Sequence, residues 1–270
     1  MGGYLPIPIP VIGFGELMAR VEELLDTLRR HAERIIANCE RYGVWLGGLA
    51  VAIERLRAEL QRLVDRVGTD VGRYLTAPGH PYALWVNGDR WITEVGAAAG
   101  DRAGAFTDDF MRSDDRWSGP AAETYLRALP PQRAALLKVH SIAGEVGVSL
   151  HEIALAICAF WAAVAVATLT AVTELALAVP SSASPVTAPA GVAAAAASLA
   201  KFLVFFGCLA GALKVFLESA GAAHTGLLRQ LDDNTAFPGP PAGHWPRSTA
   251  ENVSDGSVSD GDPSAWSLRY

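Results

Sequence analysis

The chain has 270 residues, 51% hydrophobic and 19% charged, with 26 Gly, 16 Pro and 3 Cys; this is enough to bury a sizeable core, and too few cysteines for a disulfide-stapled miniprotein. Its 22 Lys and Arg against 28 Asp and Glu leave a net charge of -6, the opposite of the basic face that a nucleic-acid partner requires. Composition fits an Ala-rich helical protein and excludes collagen-like or wholly disordered chains.

Residues 1–15 read as a Pro-rich arm. Pro6, Pro8 and Pro10 interrupt its apolar stretch and no Lys or Arg precedes them, so it is not a standard signal peptide, and alternating Ile and Pro favours an extended or polyproline-like course. Residues 16–76 carry no Pro and show a strong three-four spacing of apolar side chains. Leu17, Val21, Leu24, Leu28 and Ile35 begin one seam. Tyr42, Leu46, Leu49, Ile53, Leu56, Leu60, Leu63 and Val67 continue it after a phase shift near Cys39. An unbroken helix of that length is about 90 Å long and must pack lengthwise on others; Gly43, Gly47 and Gly48 are where it bends. Leu46, Leu49, Ile53, Leu56, Leu60 and Leu63 are the candidates for a partner-binding seam.

The cluster Thr76-Ala77-Pro78-Gly79-His80-Pro81 ends the rod. A loop is expected next, where Trp85 and Trp91 flank the turn signal Asn87-Gly88-Asp89. Residues 92–111 read as a second helix whose Ala and Gly content allows close approach of a neighbour. A third helical stretch covers about 120–179, with a kink expected at Pro130-Pro131, and a fourth about 190–231. No segment shows period-two alternation, so almost no sheet is expected.

Residues 153–173 form an uncharged run of 21 residues, long enough to cross a bilayer. A second apolar run, interrupted by Lys201, follows a short connector, and residues 153–217 therefore predict an antiparallel apolar hairpin. In a bilayer, Glu174 and Lys201 each cost about 2.5 to 3.5 kcal/mol at the centre, while Trp161 and Phe205 are its large aromatic contributors. In a soluble bundle the same hairpin is a buried helix pair. A third reading is conditional, a soluble form hiding the hairpin and an oligomer releasing it into lipid. From Asp232 onward five Pro and six acidic residues against Arg247 and Arg269 predict a disordered acidic tail, with Phe237, Trp245 and Trp266 available to dock. Asp255, Asp260 and Asp262 do not have the spacing of a calcium loop.

Between the second and third helical stretches stands Asp114-Asp115-Arg116-Trp117-Ser118-Gly119-Pro120-Ala121-Ala122-Glu123-Thr124-Tyr125. Gly119 suits a tight connection and Pro120 a first helical turn. The segment resembles the Trp-X-Gly turn of the WXG-motif helical-hairpin family, the substrates and partners of type VII (ESX) secretion systems, and the whole chain resembles its larger actinobacterial-type members. The resemblance covers about 91–153. It implies two antiparallel helices joined at Trp117 and Gly119, with Ala121, Ala122 and Tyr125 on the second. The family's Tyr-X-X-X-Asp/Glu export signal is absent, since Leu129 lies four residues after Tyr125; either a partner supplies it or this chain works beside the secretion system.

No Cys-X-X-Cys pair, His-Glu-X-X-His, Gly-X-Ser-X-Gly or phosphate loop occurs. Cys39, Cys158 and Cys208 read as core thiols. His140 and His151 share a helix face near Glu145 and Glu152 and read as polar helix positions. Asp108-Asp109 and Asp114-Asp115 read as caps. No catalytic residue, cofactor, metal, nucleic acid or small-molecule substrate is therefore expected. The sequence predicts an all-α, elongated antiparallel bundle over residues 16–231, with a WXG-like helix-turn-helix, the apolar hairpin and the tail at 232–270. Its expected role is non-enzymatic: helix-helix assembly with itself or another WXG-type chain, and docking to a secretion ATPase. Placement is expected outside the cell without a cleaved signal peptide, or at the envelope; a membrane-inserting or pore-forming hairpin is the alternative.

Overall fold

The computed structural model describes residues 6–43, 50–106, 117–118, 120–231, 235–238, 244–246 and 267–268. The protein is all-α, as expected. Its helices are α1 (Ile9–Ile12), α2 (Phe14–Gly43), α3 (Ala50–Leu75), α4 (Pro81–Arg90), a π-helical segment (Trp91–Ala97), α5 (Ala98–Ala105), α6 (Pro120–Ser181) and α7 (Ala188–Leu231). The sheet among the described residues is one short antiparallel ladder, β1 (Trp117–Ser118) on β2 (Ser267–Leu268), with Trp117 opposite Leu268. The chain divides into two compact units, Ile7–Leu84 with Glu152–Glu218, and Met1–Pro6 with Trp85–His151 and Ser219–Tyr270.

In the first of these units, residues seven apart carry the core. Val21, Leu28 and Ile35 of α2, Ile53, Leu60 and Val67 of α3, Val164 and Ala171 of α6, and Val192, Leu199 and Phe206 of α7 are all buried together. A seven-residue repeat keeps one stripe of each helix facing its neighbours, so side chains interlock as in coiled coils. Aromatic rings fill the middle: Phe160 lies 5.2 Å from Trp161 and 5.7 Å from Tyr74, and Tyr74 meets Phe206 edge-on at 5.4 Å. These offset and edge contacts suit the ring quadrupoles.

The expected single rod is instead two helices folded against each other. Gly43 ends α2, and Arg57 Nη1 of α3 reaches back to within 3.3 Å of Glu40 Oε1. Val21, Leu28 and Ile35 of α2 and Ile53, Leu60 and Val67 of α3 are buried within the chain, which is why the rod need not stay extended. The expected bend at Gly47 and Gly48 lies outside the described residues. The N-terminal arm also differs from expectation. Pro8 keeps the polyproline conformation, but Ile9–Ile12 is a helical turn that buries Val11, because Pro is tolerated at the first positions of a helix, where no intrahelical donor is needed.

The cluster at 76–81 does end α3. Gly79 has φ of 90°, a conformation only glycine adopts freely, and a Cβ there would come within 3.0 Å of Ile157. Trp161 Nε1 donates to Pro78 O at 3.0 Å, which ties this turn to α6. At the far end of α6, Asn38 Nδ2 donates to Ser182 Oγ at 2.9 Å, and the connector returns the chain into α7 as an antiparallel hairpin. Gly191 approaches so closely that a Cβ would lie 2.7 Å from Ser182 N.

One further expectation is corrected. The Asn87-Gly88-Asp89 turn is helical, part of α4, and the expected loop after Pro81 is absent. Pro130 and Pro131 lie inside α6, which runs from Pro120 to Ser181 much as the expected third helical stretch does. Within the expected tail, Phe237 is buried and Gln132 Nε2 donates to Pro246 O at 3.0 Å. The expected disorder of the tail otherwise falls on residues outside the described set, as do Trp266 and the Asp108-Asp109 and Asp114-Asp115 caps.

Candidate functional site: a glycine-lined helix crossing and a half-covered apolar helix pair

In the unit containing Trp85–His151, the helical stretch from α4 through α5 runs antiparallel to α6. Glycines set the approach. A Cβ on Gly88 would lie 2.6 Å from His151 and 2.8 Å from Gly147 O; one on Gly147 would lie 2.4 Å from Ile92 Cγ1 and 2.7 Å from Gly88 O; one on Gly96 would meet Ala143 at 3.3 Å; one on Gly100 would meet His140 at 3.2 Å. These pairings, 88 with 147, 96 with 143 and 100 with 140, run in opposite directions along the two helices, as an antiparallel crossing requires. The chain between α5, which ends at Ala105, and α6, which starts at Pro120, lies mostly outside the described residues, and Trp117-Ser118-Gly119 directly precedes α6. Trp117 and Ser118 are extended and pair with β2. Gly119 and the Trp117 side chain lie outside what is described.

Two histidines fasten the hairpin. His140 Nδ1 donates to Gly96 O at 2.7 Å. His151 Nε2 lies 3.1 Å from Trp85 O and 3.3 Å from Asp89 Oδ1, its ring stacked on Trp85 at 4.0 Å. Both of those oxygens only accept, so Nε2 carries the proton. Asp89 and His151 are both buried, and each satisfies the other's polar demand, which an apolar surrounding makes costly to leave unmet. The sequence reading took His140 and His151 as ordinary polar helix positions; they are the side chains that join two helices. Trp85, expected in a loop, stands four residues before Asp89 in α4, a helical spacing that puts both on the face toward His151. Among the described residues no group of three or more His, Cys, Asp or Glu converges as a metal site.

In the other unit, α6 and α7 each contain a window long and apolar enough to cross a membrane, with mean hydropathy of 2.3 and 2.0. One side of this pair is covered by the apolar faces of α2 and α3. The outward faces of those two covering helices are charged, with Arg29 paired to Glu33 at 2.8 Å and Arg57 to Glu54 at 2.8 Å. The other side of the pair is bare among the described residues. Val166, Leu169 and Leu177 of α6 and Val204, Phe205 and Val215 of α7 are 66%, 48%, 71%, 68%, 47% and 65% exposed. Contiguous exposed apolar patches on soluble proteins are characteristic of interaction surfaces.

The predicted residues fall as follows. Ile53 and Leu60 are in the chain's own core, with Leu56 and Leu63 packed against it, so this part of the seam is covered internally; Leu46 and Leu49 lie outside the described side chains. Trp161 is buried and hydrogen-bonded. Glu174 and Lys201 come together at 3.8 Å, so the two charges expected to burden the hairpin partly neutralise each other. Phe205 is on the bare face beside them. Cys39 and Cys158 are buried as expected, but Cys208 is exposed, because the core stripe of α7 passes through Phe202 and Phe206 and leaves position 208 on the opposite side.

This geometry defines a helical protein with a glycine-lined antiparallel crossing in one unit and, among the described residues, a half-covered apolar pair in the other. Comparison with family models, with curated proteins and with solved structures finds no match for the chain.

Proposed function

We propose that the chain is a non-enzymatic WXG-like protein associated with type VII secretion, acting by helix-helix assembly with itself or a partner chain of the same type. The observation that carries this reading is the antiparallel crossing of two helical stretches, close-packed at Gly88, Gly96, Gly100 and Gly147, on either side of the Trp117-Ser118-Gly119 sequence. The bare face of α6 and α7 supplies the joining area. Side chains half to two-thirds exposed contribute roughly 1 to 2 kcal/mol each when covered, so six of them can offset an association cost of about 4 to 15 kcal/mol. A secretion ATPase is the further partner this reading implies, with delivery through the type VII route or retention at the envelope. The test is the double variant Trp117→Ala, Gly119→Ala in an ESX-bearing host. Loss of export or of partner co-purification with helicity retained is expected; undiminished export and pairing would count against the reading.

A second reading, a membrane-inserting or pore-forming hairpin, is favoured by the two apolar windows. The charged outer faces of α2 and α3 do not belong in hydrocarbon, so insertion requires these helices to leave α6 and α7. Carbonate-resistant pelleting that is lost on deleting residues 153–217 supports insertion. A chain that stays soluble without detergent and releases no dye from liposomes dismisses it.

A further inference from the structure

We propose that the cleft between the π-helical segment, α6 and α7 binds an amphipathic organic cation, a protonated amine on an apolar body. The cleft is open-sided with a volume of about 650 Å³, within the range of about 300 to 1,000 Å³ usual for small-molecule sites. All of its walls belong to one compact unit.

Its chemistry is one-sided. Ile92, Val148 and Leu227 give it apolar walls, and its polar groups are His140, Glu145 and the hydroxyls of Ser141 and Ser149. No Lys or Arg lines it among the described residues. The Nδ1 proton of His140 is committed to Gly96 O, which leaves Nε2 as the acceptor of the neutral ring. Among the described residues Glu145 accepts long bonds from Ser141 Oγ at 3.3 Å and Gln230 Nε2 at 3.4 Å, which leaves most of a carboxylate's about four lone-pair positions open to solvent or to a cation. Acceptors without a basic residue select a cation and reject an anion, and the apolar walls select one with a hydrophobic body.

The π segment is an independent pointer. Such i→i+5 turns are rare and concentrate at functional sites. This one supplies both Ile92 and Gly96 to the cleft, and its Gly96 carbonyl orients the histidine. The inference stands apart from the assembly reading, because none of the bare-face residues line the cleft.

The test is isothermal titration of the full-length chain at neutral pH with 4-phenylbutylamine, 4-phenylbutanol and 4-phenylbutyrate. The amine is expected to bind saturably with one molecule per chain, the alcohol about tenfold or more weaker, and the carboxylate not at all, since a charge-assisted hydrogen bond is lost and then reversed in sign. Glu145→Gln, at an exposed position that should not affect folding, should bring the amine down to the affinity of the alcohol and leave the alcohol unchanged. His140→Phe should weaken the amine while circular dichroism reports retained helicity. Non-saturable uptake, equal binding of amine and carboxylate, or an amine affinity unchanged in Glu145→Gln would each overturn the proposal.

Discussion

Replacing Gly147 by Ala probes the hairpin crossing directly. The added Cβ would sit 2.4 Å from Ile92 Cγ1 and 2.7 Å from Gly88 O, against an ordinary contact of about 3.5 to 4 Å. Ile92 can rotate, but the Gly88 carbonyl is backbone, so the two helices must separate by roughly 1 Å, which forfeits a quarter to a half of the dispersion energy of the atoms lining the gap. Overpacking of this kind costs about 1 to 3 kcal/mol, while exchanging Gly for Ala inside a helix returns up to about 1 kcal/mol. The net expectation is a loss of about 0.5 to 2 kcal/mol, together with a weakened near-ultraviolet signal from Trp85, whose ring stacks on His151 close by. Gly144, three residues earlier on α6, has nothing within 4 Å of its added Cβ, so Gly144→Ala should keep only the helix-propensity gain. Urea unfolding of the two variants, followed by circular dichroism, should place them on opposite sides of the parent. A Gly147→Ala protein as stable as Gly144→Ala would show that the helices do not cross where the glycines place them.

Leu60→Ala empties a fully buried position in the core shared by α2, α3, α6 and α7 and should cost about 2 to 5 kcal/mol in chemical denaturation, whereas Leu177→Ser at a 71% exposed position should stay within about 0.5 kcal/mol while reducing self-association in sedimentation. Burial first, then the charges of Arg34 and Arg30, hold the imidazole of His31 below its ordinary value. The folded chain therefore takes up that proton less readily than the unfolded chain, so this contribution is complete above the ordinary histidine value and is lost as pH falls below it; His31→Gln should flatten the stability profile in that window, and an unchanged slope would refute the assignment. Cys208 is exposed while Cys39 and Cys158 are buried, and burial also raises the Cys39 thiol above its usual value. One thiol should therefore react quickly with an aromatic disulfide in the native protein, and the remaining two only on unfolding; three fast thiols would contradict the packing. His151→Ala leaves the buried Asp89 without its histidine partner and should destabilise by about 1 to 3 kcal/mol, more than Asp89→Asn, which retains an acceptor; reversal of that order would be inconsistent with the hydrogen bonding described.

The residues of the core were legible in advance and their partners were not. Val21, Leu28, Ile35, Ile53, Leu60 and Val67 stand out by their spacing, and all six are buried. What the spacing lacked was direction: a seven-residue stripe is equally suited to another chain and to its own continuation folded back. The same limit applied at Gly88 and Gly147. Glycine in a helical pattern reads locally as weakness or a turn, and its use as a contact surface exists only when a second backbone lies against it. His140 and His151 carried no motif, because a carbonyl 44 or 66 residues away completes each arrangement. The π segment likewise has no periodic signature, since Trp91–Ala97 differs from an α-helix by one residue per turn and not by residue type.

Helical class, the end of α3 at the Pro-Gly-Pro cluster and the apolar character of residues 153–173 follow from local chemistry, because propensity, capping and hydropathy act within a few residues. The folding of the seam onto itself, the meeting of Glu174 with Lys201, and the division of the apolar pair into a covered side and a bare one were decided only by tertiary packing. Those outcomes depend on which distant stripe wins the competition to exclude water from a face, and a stripe read along one chain does not name its competitor.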